Sequence, residues 1–158
     1  VDINDNKFYE FTSSLSLASD FSFCFSIQLK ATPNDDGLLG SGSTNMFEIQ
    51  DNNTFGVRAG GATEVTITHA SETLAADNWY TIILTRASGT LSIYVDGGGI
   101  TNTLWGTATD SDTFAVDTVG SWNNDAANLN GYIRDLSHFN AELSSSERAN
   151  MIAYINNY

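Results

Sequence analysis

The residues best placed to do chemistry in this chain are aromatic rings set beside amides and carboxylates. Trp122 runs directly into Asn123, Asn124 and Asp125. An indole offers a flat apolar face to sugar C–H groups, and neighbouring amide and carboxylate groups serve the hydroxyls, so this stretch suits a neutral glycan. Trp105 lies between Leu104 and Gly106 in a weakly patterned segment. Exposed, it would stack on a sugar face; buried, it would plug one end of the fold. Trp105, Trp122, Asn123, Asn124 and Asp125 form the expected ligand-binding set. Trp79 opens an apolar run and reads as a core residue.

Catalytic and metal-binding patterns are thin. The chain has no G-x-S-x-G nucleophile elbow, and one Cys with His69 and His138 far apart makes a poor zinc set. Asn34-Asp35-Asp36-Gly37 and Asn123-Asn124-Asp125 carry oxygen donors that would suit a loosely bound calcium. Neither follows the EF-hand spacing, and turn chemistry accounts for both without a metal. No cofactor is expected.

Charge narrows the partners. Six Lys and Arg face nineteen Asp and Glu in 158 residues, a net charge of -13. Nucleic acid and anionic membranes are disfavoured, since both are held by basic side chains. The acidity fits solubility, a salty medium or a cation-rich partner. Cys24 stands alone, so no intrachain disulfide forms. No apolar run is long enough to span a membrane as a helix. The sequence starts at Val1 without an initiator Met, which suggests a piece of a larger protein.

Strands must position these residues. Phe21 to Lys30 alternates strictly, with Phe21, Phe23, Phe25, Ile27 and Leu29 on one face. Met46–Gln50 and Phe55–Arg58 flank a polar loop, and Val65–Thr68 is a further short strand. Trp79–Arg86 and Thr90–Asp96 flank Ala87-Ser88-Gly89 as the clearest hairpin. Residues 100–118 are polar and weakly patterned; 118–122 and 132–136 resume the sheet. Ser144 and Glu147 make a capping box for one C-terminal helix with Met151, Ile152 and Ile155 as its apolar stripe. That helix is expected to cover an edge or end. The reading is one domain over 1–158: an all-β, antiparallel sandwich of jelly-roll type with a short C-terminal helix.

Three stretches carry a family resemblance: Asp20 to Ile27; Trp79 to Arg86 running on to Tyr94-Val95-Asp96-Gly97; and Gly131 to Ser144 with Glu147 after it. In this order they resemble the concanavalin A-like, laminin-G-like jelly-roll superfamily, which implies the fold over nearly the whole chain. The superfamily spans lectins, adhesion domains, glycosidases, lyases and phage structural proteins, so the fold alone names no ligand. The glucanases of this group carry a Glu-x-Asp-x-x-Glu strand; the nearest approach here is Glu48 with Asp51, and no second Glu follows. Lyases of this fold need a Tyr/His pair and a basic cluster that the chain lacks. Relatives with a structural calcium often carry Asp where Arg134 stands, and a guanidinium does not ligate calcium. The expectation is a non-catalytic binding module for a glycan or a protein partner, part of a larger secreted or surface protein. The alternative is a virion structural protein, such as a phage capsid decoration or tail component.

Overall fold

The computed structural model describes residues 8–61, 63–122 and 127–157. Eleven strands and one helix follow in chain order: β1 (Tyr9–Leu17), β2 (Phe21–Leu29), β3 (Asp36–Gly40), β4 (Met46–Ile49), β5 (Thr54–Arg58), β6 (Val65–Thr68), β7 (Trp79–Ala87), β8 (Thr90–Gly97), β9 (Ile100–Thr109), β10 (Phe114–Val119), β11 (Gly131–Phe139) and α1 (Ser145–Asn156). They form two antiparallel sheets, a six-stranded one in the order β1-β10-β3-β4-β5-β6 and a five-stranded one in the order β11-β2-β7-β8-β9. The sheets stack as a sandwich, and β6 lies against β9 along one side.

The alternating face of β2 sits where period two places it. Phe23, Phe25, Ile27 and Leu29 meet Phe47, Ile49, Phe55 and Val57 of the opposite sheet in one buried cluster. The small residues on the other face of β2 are buried as well, because α1 covers them. Ile152 and Ile155 pack on Cys24 and Ile83, with Met151 alongside. The helix therefore covers the outer face of the five-stranded sheet rather than an edge or end. Ser144 and Glu147 form the expected capping box. Burial pushes the Cys24 thiol up to about 12, so it behaves as a small apolar residue.

Four strands depart from the sequence reading. β3 takes in Asp36 and Gly37, which were read as turn, and β10 ends at Val119 after starting at Phe114 rather than running over 118–122. β1 is exposed at most positions, and β9 crosses the segment that carried little pattern. β1 and β9 are sheet edges, and β9 pairs with β8 through two register shifts that break its alternation. Trp79 is also corrected: it is half-buried on the outer face of its sheet, beside Tyr132 and under the Arg134 guanidinium at 4.2 Å.

Candidate functional site

Trp105 is a structural residue. It is 2% exposed, its indole N–H donates to the Asn53 carbonyl at 2.8 Å, and its ring meets Phe55 edge-on at 5.7 Å. His69 packs on the same ring, and its Nδ1 accepts from the backbone N–H groups of Ser71 and Glu72. Beside a register shift of β9, Trp105 faces inward and Leu104 outward, so the expectation of Trp105 as a sugar platform is corrected. Asn123, Asn124 and Asp125 lie outside the described residues.

Trp122 lines a pocket of about 590 Å³ on the outer face of the six-stranded sheet. Its bed is made by two glycines of β3. A Cβ on Gly40 would stand 2.6 Å from the Trp122 Cβ, and one on Gly37 would stand 2.9 Å from the Trp122 Cδ1, so only glycine lets the indole lie this close. Met46 and Glu48 of β4, Gln50 just beyond it and Arg58 of β5 form the floor. Asn34 and Asp35 stand before β3, Glu64 before β6, and Ala127 beyond Trp122. The register pairs Met46 with Arg58 and Glu48 with Gly56, which sets the polar side chains of the hairpin on one face. Phe47, Ile49 and Val57 take the other face, into the core.

The floor is a chain of polar contacts. Gln50 Nε2 donates to Glu48 Oε1 at 3.3 Å and, more closely, to Glu64 Oε1. Arg58 pairs with Glu64 at 3.4 Å and donates to the Ser43 carbonyl at 2.8 Å. Glu48 is 4% exposed, yet its Oε2 has no hydrogen-bond partner among the described residues. The Trp122 N–H lies near enough to the Glu48 carboxylate to lower its pKa, short of full hydrogen-bond geometry, and Arg58 Nε is buried without a partner among the described residues. Buried polar atoms are ordinarily paired, and this opening is lined by three that are incompletely so. Burial raises the Glu48 pKa, with Glu64 and Asp35 adding repulsion against the Gln50 contact and the nearby Trp122 N–H. Burial likewise raises Glu64, helped by Asp35 and opposed by Arg58.

The carboxylates of Glu48 and Glu64 share one amide donor. A glycosidase holds its two carboxyl groups apart across the scissile bond. Between Glu48 and Glu64 stands the Gln50 amide, bonded to both. Asp51, the other acidic residue of the nearest glucanase-like stretch, caps its own turn by accepting from the Asn53 N–H. His138 packs on Phe23, with burial lowering its pKa.

Among the described residues no group of three or more His, Cys, Asp or Glu is arranged to hold a metal ion. Asp36 of the Asn34–Gly37 stretch is buried and accepts from the backbone N–H groups of Asn34 and Asn130, so it ties two loops together. Asp135 sits in a bulge of β11 at φ 57 and pairs with Arg134 at 3.3 Å, so β11 does not alternate strictly there.

Of the two expected binding residues that the structure describes, Trp122 lines the pocket and Trp105 does not. Glu48, Gln50, Arg58 and Glu64 line the pocket with Trp122 and were not among the expected ligand-binding residues; Asp35 was read only within the calcium-suited 34–37 stretch. The available signal was the run of polar residues alternating with Phe47, Ile49 and Val57 in one hairpin.

A family model described as the concanavalin A-like lectin/glucanases superfamily, of laminin G type, matches residues 4–147. Among solved structures, the chain is similar to a native heptameric SAP-like pentraxin from Limulus polyphemus at 12% identity and a TM-score of 0.63, covering 87% of this chain and 71% of that one. Mouse laminin alpha1 chain domains LG4-5 are similar at 20% identity and 0.54, covering 83% of this chain and 40% of that one. A Trypanosoma rangeli sialidase in complex with 2,3-difluorosialic acid is similar at 18% and 0.53, covering 87% of this chain but 23% of the sialidase. At these identities the likeness is one of fold. No curated protein matches the chain.

Proposed function

This chain belongs to the laminin G-type family of the concanavalin A-like lectin/glucanases superfamily, and from that premise we propose that it is a non-catalytic glycan-binding module of a larger surface or secreted protein. The observation that carries this reading is the pocket under Trp122, where Glu48 Oε2, Trp122 Nε1 and Arg58 Nε are buried and incompletely satisfied among the described residues. Its volume lies in the range that accepts a small ligand or one or two sugar units. It offers an aromatic side chain for C–H faces, two N–H donors for hydroxyl oxygens, and a carboxylate for hydroxyl protons. The Gln50 amide between Glu48 and Glu64 supports binding over hydrolysis.

A glycan array probed with the chain, once with calcium and once with chelator, tests the reading. The expected result is a defined set of bound glycans, lost in Trp122→Ala and kept in Trp105→Phe, with both variants folded by circular dichroism. Unchanged binding under chelator is expected, since no metal cluster is found among the described residues. An array with no hits, or hits indifferent to Trp122→Ala, overturns the assignment of this pocket.

A further inference from the structure

The charge of the pocket is unbalanced, and this sharpens the glycan reading on which it rests. Three carboxylates line it (Asp35, Glu48 and Glu64) against one cation, Arg58, which is already engaged by Glu64 and the Ser43 carbonyl. We propose that the ligand carries a free amine: the pocket binds the ammonium group of an amino sugar, with Glu48 as its counter-ion beside Trp122.

The donor and acceptor pattern fits such a sugar at each point. Glu48 Oε2 is a buried anionic acceptor with no partner among the described residues, and an ammonium brings three donors. Arg58 Nε is a donor in need of an acceptor, and the Trp122 N–H is only loosely engaged by Glu48, so hydroxyl or ring oxygens serve both. An indole beside the site favours a cation further through its ring quadrupole. A uronate or sialic acid would set its carboxylate among three others, inside a chain of net charge -13. An N-acetylated sugar would fill space but leave the Glu48 charge uncompensated. A bare metal ion fits less well. Calcium takes six to eight oxygens, whereas here the Gln50 amide N–H group stands between the Glu48 and Glu64 carboxylates and Arg58 already pairs with Glu64. The neutral glycan suggested by Trp122 and its amide neighbours thus gives way to a cationic one once the hairpin carboxylates are included.

Isothermal titration of the whole chain with three oligosaccharides of equal length tests this: a glucosamine oligomer, its fully N-acetylated form, and a uronate oligomer. The glucosamine oligomer is expected to bind about tenfold or more tighter than the N-acetylated one, as one charge-assisted hydrogen bond provides. The uronate oligomer is expected not to bind. The advantage of the amine should fall to near parity in Glu48→Gln, which keeps the side-chain shape, and shrink in Asp35→Asn, which tolerates that residue's φ of 54. Glu10→Gln, on the exposed β1 edge, controls for attraction to the acidic surface and should change nothing. Equal binding of amine and N-acetyl oligomers, both lost in Trp122→Ala, overturns the amine while the glycan reading stands. Amine binding that survives both pocket variants is surface attraction and overturns the proposal. No binding of any oligomer overturns the proposal and the glycan reading together. Calcium binding alone, lost in Glu48→Gln, replaces the amine with a metal.

Discussion

Arg86 and Glu48 are both charged side chains buried in a β-sandwich, at 2% and 4% exposure, and the fold treats them in opposite ways. Arg86 is surrounded by acceptors. Its guanidinium donates to the carbonyls of Leu17, Ser19 and Asp112, lies 4.8 Å from the Phe21 ring, and is attracted by Asp110, Asp20 and Asp112. Burial lowers its pKa against those carboxylates, from a starting value so high that it stays charged. Glu48 receives a hydrogen bond from Gln50 and has the Trp122 N–H nearby, while its second oxygen is incompletely satisfied in the wall of a pocket. A buried charge that folding satisfies completely is a staple, here joining the β1–β2 turn to the segment before β10. A buried charge that folding leaves half satisfied, beside a pocket, is held ready for something else.

The largest test of this contrast is Arg86→Met. Three carbonyls lose their donor, at about 1 kcal/mol or more each, so the variant should be destabilised by roughly 3 kcal/mol. Urea unfolding monitored by tryptophan fluorescence measures it. Arg86→Lys should recover only part, because a point charge cannot span the carbonyls of Leu17, Ser19 and Asp112 as a planar fork does. A loss under about 1 kcal/mol would mean that Arg86 is no staple and that the comparison has lost one of its terms.

Two tryptophans repeat the contrast at smaller scale. Trp105 has its N–H satisfied inside the core, whereas Trp122 has its N–H only loosely engaged at the pocket. Trp105→Phe should lower stability by about 1–2 kcal/mol, from one lost hydrogen bond and a poorer fit, and leave ligand binding alone. Equal loss of binding in Trp105→Phe and Trp122→Ala, at matched stability, would erase the distinction between the two rings.

How much of this was legible follows from where period two holds. The β2 pattern from Phe21 to Leu29 alternates without interruption between two core-facing sheets, and it was readable at sight. β1 buries too little for any period to show, and the register shifts of β9 hide that Leu104 faces out at 46% exposure while Trp105 faces in. At the site, Trp122 stood out because a large ring beside polar residues is conspicuous in sequence. Of Glu48, Gln50, Arg58 and Glu64, only Glu48 was weighed, with Asp51, against a catalytic spacing along one strand. How the pocket residues meet depends on cross-strand register, Met46 with Arg58 and Glu48 with Gly56, which no spacing along one strand reveals. Gly37 and Gly40 are equally silent: their role is visible only once Trp122 lies on them.

The smallest effect is the most telling for Glu48, because its sign is opposite to the other two. Gln50, Trp122, Glu64, Asp35 and Arg58 surround its carboxylate, and the balance of burial and acidic neighbours raises its pKa in the folded chain. Between the ordinary carboxylate value and that raised one, the folded state binds more protons than the unfolded state, so stability falls as pH rises through this window. Glu48→Gln removes the titration and keeps the Gln50 neighbour. The variant should be more stable than the parent at neutral pH, by less than the ~1 kcal/mol typical of a point substitution, and should lose that advantage as pH falls toward 4 and the parent's Glu48 takes up its proton. Thermal melts of both proteins across this range measure the difference. A variant less stable than its parent at neutral pH would show that the fold already compensates the Glu48 charge as fully as it does that of Arg86. A variant that gains stability while losing the amine ligand would show a side chain kept at a cost to the fold because binding needs it.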